Sequence, residues 1–208
     1  MSDAENYSIT SQTVKENWEL LKPAYVRIQE LLKDHDPEED PESLYWKLNA
    51  VIFSEWSENY QNFVLEPVRE GILEIFKEAL EIEFETDSEE KQYYVIYYLL
   101  QYFFVGIEPA DDEDYFRIDL ELDEDLNEDD RNLQLYSMYR ALWRELKLAD
   151  IAGEEFNEHN TDEYYEYELD SLTKFLSELW KQAKEITKVK AKATLIEGTG
   201  ADGEVELD

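Results

Sequence analysis

Apolar positions recur at helical spacing along most of the chain. Val14, Trp18, Leu21, Tyr25, Ile28 and Leu32 form one stripe, the i, i+3, i+4 pattern of an amphipathic helix. Thr13 and Glu16 supply a capping-box pair at its start. Pro23, which lacks an N–H donor, is expected to kink or restart it. A polar loop follows, and Asp40-Pro41 reads as an N-cap with a first-turn proline. Leu44, Leu48, Ile52 and Trp56 then mark a second helix to about Ser57. A third starts near Glu66-Pro67 and buries Val68, Ile72, Ile75, Phe76, Ala79 and Leu80.

From Asp87-Ser88 to Gly106 the pattern predicts a fourth helix, with Gly106 as its C-terminal cap. Tyr93 to Phe104 is apolar nearly all round, which reads as a central helix packed on several sides. The alternative is an aromatic wall lining a groove, since buried tyrosine hydroxyls need partners. Beyond Pro109 the period changes to two. Phe116, Ile118, Leu120 and Leu122 alternate with Arg117, Asp119, Glu121 and Asp123, the signature of an edge strand with one acidic face. A fifth helix spans roughly 128–148 with Leu135, Tyr139, Leu142 and Leu146 inward. A sixth runs from Thr161 towards Val189 with Leu169, Leu172, Leu176, Leu179, Ala183 and Ile186 inward. Residues 193–208 read as a closing hairpin, set against the 116–122 strand, or as a mobile tail.

The expected fold is therefore mainly α. It is a single-domain bundle of five or six helices around the aromatic-rich fourth, with one or two short strands (about 115–122 and a 193–207 hairpin). Residues 1–192 form the acidic helical domain and 193–208 the hairpin or tail.

Charge changes the picture more than any motif. The chain of 208 residues carries 53 acidic against 19 basic side chains, net −34. Binding DNA or RNA needs cations that displace phosphate counterions, so a direct nucleic-acid binder is excluded, and an anionic membrane is an equally poor surface for it. The charge is also uneven. Residues 111–170 carry net −17, half the total, while 171–208 carry −1. Glu outnumbers Asp, Lys outnumbers Arg and aromatics reach 14%, which argues against salt adaptation as the origin.

Two acidic constellations stand out. In residues 111–130, twelve acids face one base, Arg117: Asp111, Asp112, Glu113, Asp114, Asp119, Glu121, Asp123, Glu124, Asp125, Glu128, Asp129 and Asp130. Such a run repels itself, which a basic partner would offset. The second is the line Glu66, Glu70, Glu74, Glu78, continuing to Glu81 and Glu85. Four helical residues rise about 6 Å, so these carboxylates follow one helix face, and without lysines at i+4 the line is repulsive. Lys174, Lys181, Lys184, Lys188, Lys190 and Lys192 form a counterpoint in the C-terminal half of the last helix, where cations suit the helix dipole.

Candidate chemistry is otherwise sparse. The chain has no cysteine, which removes disulfides, thiolate metal sites and cysteine nucleophiles. Gly198, Gly200 and Gly203 match Gly-x-Gly-x-x-Gly, but a dinucleotide site needs a helix after it and the residues that follow read as strand. Calcium loops starting at Asp123 or Asp34 lack the sixth-position glycine and the twelfth-position glutamate. His35 and His159 sit in acidic loops without metal-site spacing. No leader pattern or membrane-length apolar run is present, so a cytoplasmic location is expected. No catalytic residue, cofactor or metal is assigned. The expected function is an acidic interaction protein that neutralises a basic protein partner, such as a nuclease, a toxin or another nucleic-acid-binding protein. It would act as an immunity- or antitoxin-like inhibitor or as a nucleic-acid mimic, and a homo-oligomer is compatible with it. The alternative is a small-molecule or metal-dependent enzyme with its site among the tyrosines and carboxylates of the central helices.

Overall fold

A computed structural model describes residues 7–35, 40–84, 86–98, 104–110, 118–119, 131–156, 162–197 and 204–207. The chain divides into two compact units, Met1–Asn62 with Leu133–Tyr167, and Phe63–Asn132 with Glu168–Asp208.

The first unit is helical. It holds α1 (Gln12–Glu16), α2 (Trp18–Lys33), α3 (Pro41–Tyr60), most of α5 (Arg131–Glu145), α6 (Leu148–Ala152) and the start of α7 (Asp162–Thr187). The first helix breaks at Asn17, and Pro23 lies inside α2. Ser11, not Thr13, is the cap, its hydroxyl accepting from the Val14 amide at 3.4 Å. Asp40 takes the cap position of α3 without a side-chain bond, and Pro41 sits in its first turn as read from the sequence.

Trp56, fully buried, fixes this core. Phe53, Tyr60, Tyr136, Tyr164 and Tyr167 surround its ring at centroid distances of 4.9–6.2 Å. Several polar atoms at its margin are hydrogen-bonded, as most buried polar groups are. Tyr167 donates to the Ser57 carbonyl at 2.8 Å and Asn59 donates to the Tyr139 hydroxyl at 3.1 Å. Burial pushes the Tyr139 hydroxyl pKa upward. Arg27 reaches the buried Glu55 at 2.6 Å, tying α2 to α3.

The second unit is a sheet with helices on one face. Its α4 (Arg69–Glu81) follows a π-helical turn (Gln61–Leu65) and a 3-10 turn (Glu66–Val68). Five strands follow in the order β3-β2-β1-β4-β5: β1 (Lys91–Tyr98), β2 (Phe104–Pro109), β3 (Ile118–Asp119), β4 (Ala191–Glu197) and β5 (Glu204–Leu207). The central β1–β4 pair is parallel, Val95 opposite Leu195, and the other pairs are antiparallel. A parallel pair needs a long crossover, which here includes the whole chain from 99 to 190.

Several expectations are corrected. Residues 91–98 and 104–106 of the segment read as a fourth, central helix lie in β1 and β2, so they supply no helical axis, and the sheet exceeds one or two short strands. The reason lies in residue type. Tyr93 to Tyr98 is all β-branched and aromatic, favoured on a pleated surface, and a short continuous apolar run also fits a sheet strand. Gly106 caps nothing; it pairs with Ile96 in the sheet. The C-terminal hairpin forms as β4–β5, but it lies beside β1, on the far side of β1 and β2 from the 118–119 strand. The helix read towards Val189 stops at Thr187, and Ile186, read as inward, is half exposed at its end.

The helices meet the sheet through Tyr93, whose ring lies 5.4 Å from that of Trp180 on α7. Its hydroxyl donates to the Ala79 carbonyl on α4 at 3.0 Å, and burial raises its pKa. Phe76 on α4 meets Trp180 edge-on at 5.3 Å. Val95, Val105, Ile107, Ala193, Leu195 and Leu207 complete the buried sheet face. Among the described residues, no helix is long and apolar enough to cross a membrane.

Candidate functional site

The acidic line on α4 is the predicted site that the described residues show best. Val68, Ile72, Phe76, Ala79 and Leu80 are buried, as the periodicity predicted, and Ile75 lies at the margin. A helix anchored by that apolar face must turn its other face outward. Glu66, Glu70, Glu74, Glu78 and Glu81 are accordingly all exposed. Glu66 stands on the 3-10 turn and the others on α4. Glu85 lies outside the described residues.

The line is partly countered from within. Arg69 forks onto both oxygens of Glu66 at 2.8 and 2.9 Å and reaches Glu178 on α7 at 3.0 Å. The guanidinium also sits 4.9 Å from the centroid of the Phe175 ring. This hydrogen bond, against a smaller effect of burial, holds the Glu66 carboxyl below its ordinary pKa. Lys77 meets both oxygens of Glu74 at 2.8 Å. Sequence reasoning looked for lysines at i+4 and overlooked these partners at i+3, a spacing that equally places two side chains on one helix face. Glu70, Glu78 and Glu81 have no ion pair among the described residues.

The other constellation is mostly out of view. Asp111, Asp112, Glu113, Asp114, Glu121, Asp123, Glu124, Asp125, Glu128, Asp129 and Asp130 lie outside the described residues. Asp119 is described in backbone only, at the sheet edge in β3, opposite Gly106 of β2. The structure therefore brings Glu66, Glu70, Glu74, Glu78 and Glu81 into one line.

The lysines near the end of α7 turn partly to their own neighbours. Lys174 meets Asp170 at 2.5 Å, Lys188 donates to the Glu185 carbonyl at 2.5 Å, and Lys192 lies 3.9 Å from Glu90. Residues 198–203, with the glycine pattern, lie outside the described residues. They link β4 to β5, so the helix that a pyrophosphate site needs does not follow them. Among the described residues no group of three or more His, Asp or Glu side chains is placed to hold a metal ion.

Chemically, α4 offers fixed negative charge on a helix held by its buried apolar face. That suits recognition of cations. Comparison with protein-family models, with curated proteins and with solved structures finds no match for this chain.

Proposed function

We propose that this chain is an interaction protein that binds and neutralises a basic protein partner, in the manner of an immunity or antitoxin protein. The observation that carries the reading is the outer face of α4. It is a helix held by a buried apolar face, with five exposed glutamates in line, three of them lacking a counter-ion among the described residues. Charge of this kind steers a complementary partner into an encounter and rejects wrong ones. The net −34 of the chain adds a long-range attraction for any basic surface. Residues 111–130 supply further acidic charge to the same end, and the partner class is a cytoplasmic basic protein such as a nuclease or toxin. Desolvated aromatic anchors carry most of the affinity in such interfaces.

The spacing favours a patch over a phosphate track. With Glu66 and Glu74 countered, the uncompensated charges fall at 70, 78 and 81, axial steps of about 12 and 4.5 Å on a helix. A nucleic-acid strand carries a phosphate every 3.4 Å or so along the axis without interruption. Plugging a basic site on one enzyme is thus a better fit than imitating a duplex.

The test is affinity capture from a lysate of the source cell with two baits, the native chain and Glu70→Lys/Glu78→Lys/Glu81→Lys. The expected result is a basic protein recovered on the native bait at low salt and lost from the reversed bait. Recovery of the same proteins on both baits contradicts the reading. Displacement of the chain by any duplex, but not by small ligands of the partner's active site, favours the mimic instead.

A further inference from the structure

A second feature runs against the sign of the whole molecule. Residues 131–148 contain Arg131, Arg140, Arg144 and Lys147 against a single acid, Glu145. Three of these cations converge on one open cleft of about 580 Å³ in the first unit, lined also by Thr10, Ser137 and Glu145. That volume lies in the range of small-molecule sites, about 300–1,000 Å³.

The placement follows from helix geometry. Ser137, Arg140 and Arg144 are spaced i, i+3, i+7 on α5, so they share one face. The buried faces of Leu135, Tyr139, Leu142 and Trp143 fix that helix. Lys147 follows the helix in left-handed backbone, φ 52°, at the cleft rim. The acid in the cleft is already engaged. Glu145 accepts from the Thr10 amide at 2.7 Å, the Thr10 hydroxyl at 2.9 Å and the Ser11 amide at 2.8 Å. It thereby clamps the segment before α1 onto α5. Arg144 meets Glu155 only at 3.8 Å, with both side chains about two-thirds exposed, a loose surface pair of little strength that an incoming anion can displace.

We infer that this cleft binds a phosphorylated small molecule, its phosphoryl groups held by Arg140, Arg144 and Lys147 with the Ser137 hydroxyl. Guanidinium forks match phosphate oxygens in pairs, and two forks one turn apart suit a ligand with several anionic oxygens. A monocarboxylate would leave much of that donor set unused. An acidic protein is the poorer occupant, because it would meet the field of the net −34 over a wide surface. A small ligand meets little beyond the cleft. This inference rests on the first unit and is independent of the α4 reading.

The test is titration of the full chain with inorganic pyrophosphate, ATP and adenosine by calorimetry, with amide shifts followed by NMR. Pyrophosphate and ATP are expected to bind saturably while adenosine does not. Arg140→Gln/Arg144→Gln should weaken binding about tenfold or more, equivalent to about 1.4 kcal/mol. Lys181→Gln, an exposed change on α7, should leave it unaltered. Shifts in the native chain should centre on residues 137–147, a readout that stands even if the double variant folds poorly. Four results overturn the inference: no saturable pyrophosphate binding up to about 10 mM, well beyond the ~1 mM range of weak specific sites; ATP binding without pyrophosphate binding; undiminished binding by a folded double variant; or shifts centred elsewhere.

Discussion

The outer faces of α4 and α5 have opposite signs. On α4 and the turn before it the exposed carboxylates are Glu66, Glu70, Glu74, Glu78 and Glu81, with Arg69 and Lys77 countering two of them. On α5 and just after it the cations are the half-buried Arg140 and the exposed Arg144 and Lys147, with Glu145 held by Thr10 and Ser11. Both helices are amphipathic and both are fixed by buried aromatic packing. The difference shows that a net charge of −34 describes the long-range field and not each surface. A basic protein would respond to that field, and a small anion to the few side chains within a Debye length of it, about 10 Å at 0.1 M salt.

The comparison breaks first if either helix loses its support. Phe76→Ala removes a fully buried ring from between α4 and Trp180. It should lower stability by about 3–5 kcal/mol, read as a fall in the urea midpoint. Trp143→Ala, which removes a fully buried α5 ring packed against Tyr45 and Phe156, belongs to the same size class. A change under about 1 kcal/mol at either site would mean that the helix is not held as described.

Next in size is the Glu145 clamp. Desolvation raises its carboxyl pKa, but the bonds from the Thr10 and Ser11 amides and the Thr10 hydroxyl together outweigh this and hold it below the usual value. A carboxyl depressed in the folded state contributes stability above its unfolded pKa, about 4.3 for glutamate, and loses it as pH falls through the folded value. Glu145→Gln should therefore be less stable than the native chain at neutral pH, by about 1–3 kcal/mol for the charged hydrogen bonds lost. The gap should stay constant down to about pH 4.3 and then close. A gap that persists unchanged into acid would show that the carboxylate charge is not what holds Thr10 and Ser11.

The smallest effect on stability separates the two faces most cleanly. Glu70→Lys and Glu78→Lys each place a lysine one turn from Glu74, replacing like-charge neighbours by opposite ones. Each should stabilise the free protein by a few tenths of a kcal/mol, about 0.2–0.5 for such a pair, seen as a small rise in the thermal midpoint. If these variants are destabilised, the line was not repulsive. A gain in stability joined to a loss of binding marks residues kept for contact at the expense of the fold.

Much of the helical part was legible in the chain. The stripes Leu44–Leu48–Ile52–Trp56 and Ile72–Phe76–Ala79–Leu80 mark α3 and α4 by their helical spacing, and α4 adds a polar outer face. Legibility failed where that contrast vanished. In β1, Tyr94 on the outer face is as aromatic as Tyr93 on the inner one, so alternation was invisible and only the Tyr, Val and Ile content pointed to a strand. The parallel β1–β4 pair joins residues about a hundred apart in sequence, a contact that no local pattern encodes. The α4 line was readable from its i, i+4 spacing, whereas Arg69 and Lys77 went unnoticed at i+3. The α5 cleft was hidden by the total charge, although four bases against one acid in 131–148 was its signal.

The central claim is that the α4 carboxylates guide a basic partner. Its most direct test is the association rate of the captured partner, measured by stopped flow against ionic strength, for the native chain and Glu70→Lys/Glu78→Lys/Glu81→Lys. Steered association reaches rates about a hundredfold or more above the unsteered range and falls steeply with salt. The native chain should show that fall, and the reversed chain should associate at least about tenfold more slowly at low salt with a flatter dependence. Superimposable salt curves for the two proteins would contradict the account.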